Sequence, residues 1–254
     1  MKDPTARFSD RVDYYVQSRP GYPAAIIPLL VQECSLSRGW TVADVGSGTG
    51  IFSRLLLEHG YRVFAVEPNP EMRAAAEKAL GGHGGLVSVD GKAESTTLSS
   101  QSVQMITSAQ AFHWFDRPQT RLEFERILVP GGWVVLIWNK RLADTPFQLE
   151  YADLLKRFSK ERPFVGYDDI GAEELKAFYS PGAYRRQEFN NFQDLDFDGL
   201  KGRLLSASYM PVAADLEYGE MMMELSDIFA RHARSGAVRL SYRTQVFFGR
   251  FVAG

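Results

Sequence analysis

Short apolar runs alternate with amphipathic stretches along the first half of the chain. The apolar runs predict buried strands at Thr41–Val45, Tyr61–Val66, Leu86–Val89, Val103–Thr107 and Trp133–Trp138. Helical stretches lie between them at Ile51–His59, Pro70–Leu80 and Pro118–Leu128. Strands that alternate with helices, and apolar runs that mostly lack a two-residue period, are typical of a parallel sheet covered on both faces.

Turn and capping residues mark the ends of these elements. Asn69 and Pro70 supply an N-cap and a first-turn proline for one helix, which Gly81-Gly82 ends. Pro130-Gly131-Gly132 predicts a break before the strand Trp133–Trp138.

The pattern changes after Arg141. Amphipathic helices are predicted at Gln148–Ser159, Glu173–Phe178 and Met221–Phe229. The core-facing positions of the helices at 118–128 and 148–159 are expected to include Leu122, Ile127, Leu128, Leu149, Leu154, Leu155 and Phe158.

Val238–Phe248 alternates strictly between apolar and polar residues, which predicts a half-exposed antiparallel edge strand. The sequence therefore predicts a parallel core, a helical cap over about 142–233 and a return to the sheet. No flexible linker divides these parts, so we expect one domain over 1–254. Its cofactor-binding core spans about 35–140, and the cap and C-terminal strands span about 141–254.

Composition excludes several classes of protein. The 254 residues include one cysteine, Cys34, which excludes a disulfide scaffold and zinc sites that need two thiolates. The formal charge of −2 gives no overall electrostatic signature of nucleic-acid or membrane binding. Trp133–Trp138 is too short to span a bilayer, and Met1–Asp10 lacks the apolar segment of a secretory signal. We therefore expect a cytoplasmic protein.

A glycine-rich turn follows the first predicted strand. Gly46, Gly48 and Gly50 are spaced G-x-G-x-G, and such a turn before a helix lets backbone N–H groups approach a ligand. Ile51 stands where a dinucleotide-binding fingerprint has glycine, and no P-loop lysine follows. Asp44 precedes the turn, and Glu67 ends the next strand, where a carboxylate can accept hydrogen bonds from ribose. A ribose with an amino-acid tail fits this arrangement, which indicates S-adenosylmethionine; the alternative is a turn that only packs a helix on a strand.

Four segments resemble the class I S-adenosylmethionine-dependent methyltransferases, in the family's order. They are D-V-G-S-G-T-G at 44–50, E-P-N-P at 67–70, G-K-A-E at 91–94 and R-I-L-V-P-G-G-W at 126–133. The resemblance covers about residues 8–140. It implies a Rossmann-like, doubly wound α/β fold with a seven-stranded, mostly parallel sheet, an antiparallel last strand and a helical cap insertion.

Two further stretches resemble a small-molecule branch of methyltransferases of type 11 that includes trans-aconitate methyltransferase-like proteins. Phe8–Tyr15 leads into R-P-G-Y-P at 19–23, and Q-A-F-H-W-F occupies 110–115 after the fourth strand. Gln104 departs from the family's usual acidic residue in that strand, at a position that is commonly structural.

The resemblance implies a cofactor site that faces several parts of S-adenosylmethionine. Arg19 is expected near the cofactor carboxylate, Asp44 near its amino group and Glu67 at the ribose. The turn should line the methionine and ribose portions, and the residues after the second and third strands should meet adenine. The implied set is Arg19, Asp44, Gly46, Ser47, Gly48, Thr49, Gly50, Glu67, Pro68, Met72, Ala93, Glu94, Ala109, Gln110 and His113.

His113 is the candidate catalytic residue. An imidazole titrates near neutral pH and could take a proton from an acceptor, but the favoured interpretation is that His113 is a hydrogen-bonded, positioned member of an aromatic cluster. The four histidines show no metal-ligand spacing, so no metal is expected. Asn139, Phe147 and Tyr209 are candidate neighbours of the acceptor by position alone.

The sequence thus predicts methyl transfer to a small-molecule acceptor by in-line displacement, with S-adenosylhomocysteine as the product. No nucleic acid, membrane or obligate protein partner is expected. The alternatives are a non-catalytic cofactor-binding protein on the same fold and, less favoured by Ile51, an NAD-dependent oxidoreductase.

Overall fold

The computed structural model describes residues 18–160 and 171–251. Seven strands form one sheet: β1 (Thr41–Val45), β2 (Arg62–Val66), β3 (Leu86–Val89), β4 (Val103–Ala109), β5 (Leu128–Arg141), β6 (Tyr184–Leu195) and β7 (Val238–Gly249). Their order is β3-β2-β1-β4-β5-β7-β6. The strands from β3 to β5 pair in parallel, and β7 pairs antiparallel with both β5 and β6. The predicted fold class and the antiparallel last strand are confirmed.

Eight α-helices accompany the sheet in the part of the chain described: α1 (Ile26–Cys34), α2 (Ile51–Glu58), α3 (Pro70–Leu80), α4 (Arg117–Ile127), α5 (Pro146–Phe158), α6 (Ala172–Tyr179), α7 (Phe197–Leu205) and α8 (Tyr218–His232). Residues of α1, α2 and α3 share one core cluster with the sheet. Residues of α4 and α6 share a second cluster on the other face. The sheet is therefore covered on both faces. None of these helices is long and apolar enough to cross a bilayer.

Side-chain caps fix the starts of α3 and α4, and the cap of α3 is the one that the sequence predicts. Asn69 Oδ1 accepts a hydrogen bond from the Met72 N–H at 2.9 Å, and Pro70 opens the helix. Asp116 Oδ1 accepts from the Gln119 N–H at 3.2 Å in the same way. Both caps satisfy first-turn N–H groups that have no acceptor within the helix.

The helices α5, α7 and α8 pack together with the start of β7, and we call these elements the helical cluster. Leu154, Leu155 and Phe158 of α5 are buried in it as predicted, but Leu149 is 51% exposed. Leu122 of α4 is also exposed, at 62%. Both predictions of burial were wrong because helical spacing alone does not locate the edges of the buried face; in α5 that face is centred on Tyr151 and Leu154.

The sheet differs from its prediction at two places. The predicted edge strand lies inside the sheet, because Tyr184–Leu195 pairs with it along all twelve residues and forms the edge. That strand falls within the region predicted as a helical cap, and its largely polar sequence suits an exposed edge. The predicted break at Pro130-Gly131-Gly132 is instead an irregularity within β5, where one residue of β4 lies opposite four of β5.

Candidate functional site

The glycine turn lies at the carboxyl end of β1 and is attached to the end of β2. Gly46, Gly48 and Gly50 have φ values of 69°, 56° and 79°, which glycine adopts at little cost. The N–H groups of Gly46 and Ser47 donate to the Val66 carbonyl at 2.9 and 3.1 Å. The turn therefore joins the two neighbouring strand ends before α2 begins at Ile51.

The three glycines are needed for different reasons. A Cβ at Gly46 would lie 2.5 Å from the Ala111 Cβ, and a Cβ at Gly50 would lie 2.5 Å from the Leu80 Cδ1. A Cβ at Gly48 would meet nothing within 4 Å. Close packing thus accounts for Gly46 and Gly50, whereas Gly48 borders open space that a ligand can enter.

Glu67 follows β2 and faces Gly48. Its Oε2 accepts the Gly48 N–H and its Oε1 accepts the Asn69 N–H, both at 2.9 Å. Burial raises the pKa of Glu67, although these two N–H groups act in the opposite direction. Each carboxylate oxygen retains a second lone pair, so Glu67 can accept further hydrogen bonds from a ligand.

Asp44 lies beneath the turn and is almost fully buried. Its Oδ2 accepts from the Ser53 hydroxyl at 2.6 Å, and its Oδ1 accepts from the Thr107 hydroxyl at 2.9 Å. Burial raises the pKa of Asp44 to about 6. Sequence reasoning missed Ser53 and Thr107, whose only signal is that each lies on an element next to β1.

Two buried hydroxyl groups of the turn are left without hydrogen bonds within the described part of the chain. Ser47 Oγ and Thr49 Oγ1 are buried and have no hydrogen-bond partner among the residues described. Buried hydroxyls in proteins are normally hydrogen-bonded, so these two indicate a polar ligand or water at the turn.

The residues expected around adenine divide into apolar and polar positions. Met72 and Ala93 are buried and Pro68 is half-buried, so this side of the site is largely apolar. Glu94 Oε1 accepts the Asp116 N–H at 2.8 Å, which fixes the loop ahead of α4. Their predicted contacts with adenine stay predictions.

Beyond β4 the chain makes a tight turn next to the end of β5. Gln110 has a φ of 58°, its N–H donates to the Ile137 carbonyl and its Oε1 accepts the Asn139 N–H at 3.2 Å. His113 lies in the short 3₁₀ helix Phe112–Trp114, with its ring 4.7 Å from that of Trp114. Gln110 and His113 therefore follow the carboxyl end of β4, at the same edge of the sheet as the glycine turn that follows β1.

Of the three candidate acceptor neighbours, Phe147 and Tyr209 share the helical cluster, whereas Asn139 lies near the end of β5. Asn139 is buried, and its Oδ1 accepts from the Thr244 hydroxyl at 2.5 Å while its Nδ2 donates to the Gly21 carbonyl at 3.1 Å. Phe147 is buried in the helical cluster, against which Tyr209 packs. Asn139 thus fastens the segment around Gly21 to the end of β5.

Arg19 lies on the same segment, at the boundary between the sheet edge and the helical cluster. Its Nη2 donates to the Ser206 carbonyl at 3.0 Å, just after α7. Its predicted contact with a cofactor carboxylate stays a prediction. The stretch Phe8–Tyr15 lies outside the described residues.

Comparison with known proteins agrees with this geometry. Residues 43–136, which include the glycine turn, Glu67 and the segment after β4, match the family model described as a methyltransferase domain. The chain is 28% identical over 248 residues to a methyltransferase-like protein of Schizosaccharomyces pombe, covering 94% of this chain and 93% of that protein. It is 36% identical over 140 residues to an uncharacterized methyltransferase of Mycobacterium tuberculosis H37Rv, covering 55% of each.

Solved structures share the fold across nearly the whole chain. A protein of Anaeromyxobacter dehalogenans, provisionally described as a type II methyltransferase, superimposes with a TM-score of 0.69 at 22% identity, covering 93% of this chain and 99% of that one. A SAM-dependent methyltransferase of Geobacter sulfurreducens, in complex with S-adenosyl-L-homocysteine, superimposes with a TM-score of 0.54 at 17% identity. The match covers 98% of this chain and 99% of that one. The chain therefore has the fold of these methyltransferases, and its residues 43–136 match a methyltransferase-domain model, which confirms the resemblance at the level of the fold.

Proposed function

We propose that this protein is an S-adenosylmethionine-dependent methyltransferase that acts on a small-molecule acceptor and needs no metal. The observation that carries the proposal is Glu67, whose carboxylate is fixed by the N–H groups of Gly48 and Asn69 at the mouth of the glycine turn. A carboxylate fixed at this point can receive both hydroxyl groups of a ribose.

The residues present fit an adenosine with an amino-acid tail. The open space beside Gly48 admits a ligand, and the hydroxyls of Ser47 and Thr49 lack partners among the residues described. The turn leads into a helix, but Ile51 occupies the position of the last glycine in a dinucleotide fingerprint G-x-G-x-x-G, and no P-loop lysine follows. Among the described residues no cluster of potential metal ligands occurs.

When bound, S-adenosylmethionine would supply a methyl group on a cationic sulfur that an acceptor displaces in line. The protein's part is to hold the two reactants in register and to exclude water, and orientation of this kind can contribute roughly 7–11 kcal/mol. Asp44 offers a buried negative charge below the turn, which favours a cationic ligand above it. His113 stands where it could orient an acceptor or accept its proton.

Two features favour a small acceptor: the net charge of the protein and the position of the helical cluster beside the site. The formal charge of −2 offers no overall attraction to nucleic acid, and the helical cluster stands beside the edge of the sheet that holds the site. A cytoplasmic location belongs to the proposal as well.

Calorimetric binding of S-adenosylhomocysteine tests the proposal through Glu67. Glu67→Gln keeps the size of the side chain but removes the charge, and we expect binding to weaken by about 1–3 kcal/mol. Glu58→Gln, at an exposed position at the end of α2, is the matched control and should bind like the parent protein. Unchanged affinity in Glu67→Gln would remove Glu67 from the site.

Two further measurements separate the alternatives. Transfer of a radiolabelled methyl group distinguishes an enzyme from a protein that only binds the cofactor. Titration with NAD that gives a stronger response than S-adenosylhomocysteine would instead indicate an oxidoreductase.

A further inference from the structure

A cavity of about 560 Å³ lies towards the end of the sheet opposite the glycine turn. Its wall includes three aromatic and three charged side chains, which are Trp133, Tyr184, Phe248, Glu33, Arg185 and Arg250. Pro181, Ala183 and Arg185 line the cavity and are exposed, so it opens to solvent. Pockets of this size hold small organic molecules.

Strand pairing separates this cavity from the candidate methyl-transfer site. Ala109 pairs with Ile137 at the carboxyl end of β4, whereas Trp133 pairs with Met105 near the start of that strand. Trp133 is therefore four residues, or about 13 Å of strand, from Ile137. None of the residues expected to hold S-adenosylmethionine lines the cavity. A molecule bound here would occupy a second place, away from the glycine turn.

The charges in the cavity wall do not balance. Arg185 is paired, because its Nη1 donates to Glu33 Oε2 at 2.5 Å and its Nη2 donates to the Glu33 carbonyl at 3.2 Å. Arg250 has neither an ion pair nor a hydrogen bond from its side chain among the described residues, and its Cζ lies 4.4 Å from the centre of the Trp133 ring. Glu33 thus balances Arg185, and the positive charge of Arg250 remains.

Two hydrogen-bond donors of the same wall are also unused. The indole Nε1 of Trp133 and the Nε of Arg250 are buried and lack partners in the described part of the chain. Buried donors in proteins nearly always have an acceptor, and a buried indole N–H usually finds one. The stacking of Arg250 on Trp133 keeps the two donors together and reduces the ordering that a ligand would have to impose. This part of the wall therefore needs an acceptor, and a negatively charged one balances Arg250.

We propose that this cavity binds a small organic acid that has one carboxylate and an aromatic body. A carboxylate matches the planar guanidinium of Arg250 in shape and balances its single charge. The rings of Tyr184 and Phe248 supply apolar surface for the rest of the molecule. A phosphate dianion would instead bring excess negative charge next to Glu33. This second binding function does not depend on the proposed methyl transfer.

Calorimetry with benzoate, phenylacetate and 3-phenylpropanoate tests the proposal. Each acid is paired with its uncharged amide. Inorganic phosphate provides an anion without an organic body, and hexanoate provides an acid without a ring. We expect the aromatic acids to bind, and every amide to bind at least about 10-fold less tightly because it leaves the charge of Arg250 unbalanced. Trp133 is one of four tryptophans, so an acid that binds beside it should also change the tryptophan fluorescence.

Two substitutions in the wall should change the affinity for these acids in opposite directions. Arg250→Gln removes the unpaired cation and should weaken binding about 10- to 100-fold. Glu33→Gln removes the nearby negative charge and releases Arg185, so it should strengthen binding about 2- to 5-fold. Arg54→Gln, at an exposed position of α2, is the matched control and should leave the affinity unchanged. Glu33→Gln keeps the proposal testable if Arg250→Gln fails to fold.

S-adenosylhomocysteine shows whether the two places are distinct, because the acids should bind equally well when it is present. Four results would overturn the inference: amides, phosphate or hexanoate that bind as tightly as the aromatic acids, affinities that do not change in the two expected directions, displacement of the acids by S-adenosylhomocysteine, and a panel with no acid that binds. Failure of the proposed function looks different. In that case the parent protein gives no heat with S-adenosylhomocysteine, while the acid titrations still report on Arg250.

Discussion

The glycine turn and the helical cluster stand at the same edge of the sheet but hold opposite charges. At the turn, Asp44 and Glu67 are the buried ionisable groups, and both are hydrogen-bonded by N–H or O–H donors. In the helical cluster the buried ionic group is Arg203, which bonds only neutral oxygens. The two regions therefore differ in the sign of their buried charge, which is acidic at the turn and basic among the helices.

The two regions also differ in how they are built. The turn depends on backbone N–H groups and on glycines from two short segments, Asp44–Gly50 and Glu67–Asn69. The surroundings of Arg203 depend instead on side chains of α5, α7 and β7. A region built from backbone groups tolerates few substitutions, whereas surroundings built from side chains change with single replacements.

Gly46→Ala should give the largest effect at the turn, because it tests the rigid region directly. The new Cβ would lie 2.5 Å from the Ala111 Cβ at a φ of 69°, so steric overlap and backbone strain add. We expect the free energy of unfolding to fall by about 3 kcal/mol in a denaturant titration.

Gly60→Ala is the matched control for that prediction. Gly60 has a φ of 81° and open space around its Cα, so alanine there carries only the backbone cost, about 1 kcal/mol. Equal losses in the two variants would mean that the turn is not tightly packed against Ala111.

Asp44→Asn should stabilise the protein at neutral pH and weaken its cofactor binding. The pKa of Asp44 is raised from 3.8 to about 6, so the folded state binds more protons than the unfolded state between these values. The free energy of unfolding therefore falls as pH rises through that window and stays reduced above it. Asparagine avoids this loss, so the variant should gain at most about 2–3 kcal/mol at pH 8.

The gain should shrink as pH falls from 6 towards 3.8 and vanish well below pH 3.8, where Asp44 is neutral in both states. Urea titrations at about pH 3, 6 and 8 measure it. Ser53→Ala, which keeps the carboxylate, is the comparison variant. A loss of stability at pH 8 would show that the hydrogen bonds from Ser53 and Thr107 outweigh the cost of burying the charge.

Sequence reasoning worked best where a local pattern determines the structure. The strands Thr41–Val45 and Leu86–Val89 have the predicted bounds, as does the capped helix Pro70–Leu80, because their apolar runs and caps are read within a few residues. The turn and Glu67 were found in the same way.

The rest depends on contacts between distant segments. The edge strand Tyr184–Leu195 is held by pairing with β7, which its own polar sequence does not reveal. Arg203 was missed because nothing local distinguishes a buried arginine from an exposed one. Asn139 was expected near the acceptor, yet its amide joins Gly21 and Thr244, partners more than a hundred residues away.

Leu149→Gln should give the smallest effect and tests how the helical cluster is covered. Leu149 is half exposed on the outer side of α5, so we expect its replacement to change the free energy of unfolding by no more than about 0.5 kcal/mol. Leu154→Ala, at a fully buried position of the same helix, should cost about 2–5 kcal/mol. Both are measured by denaturant titration. A loss above about 1 kcal/mol in Leu149→Gln would mean that the outer face of α5 is covered, contrary to the exposure of Leu149.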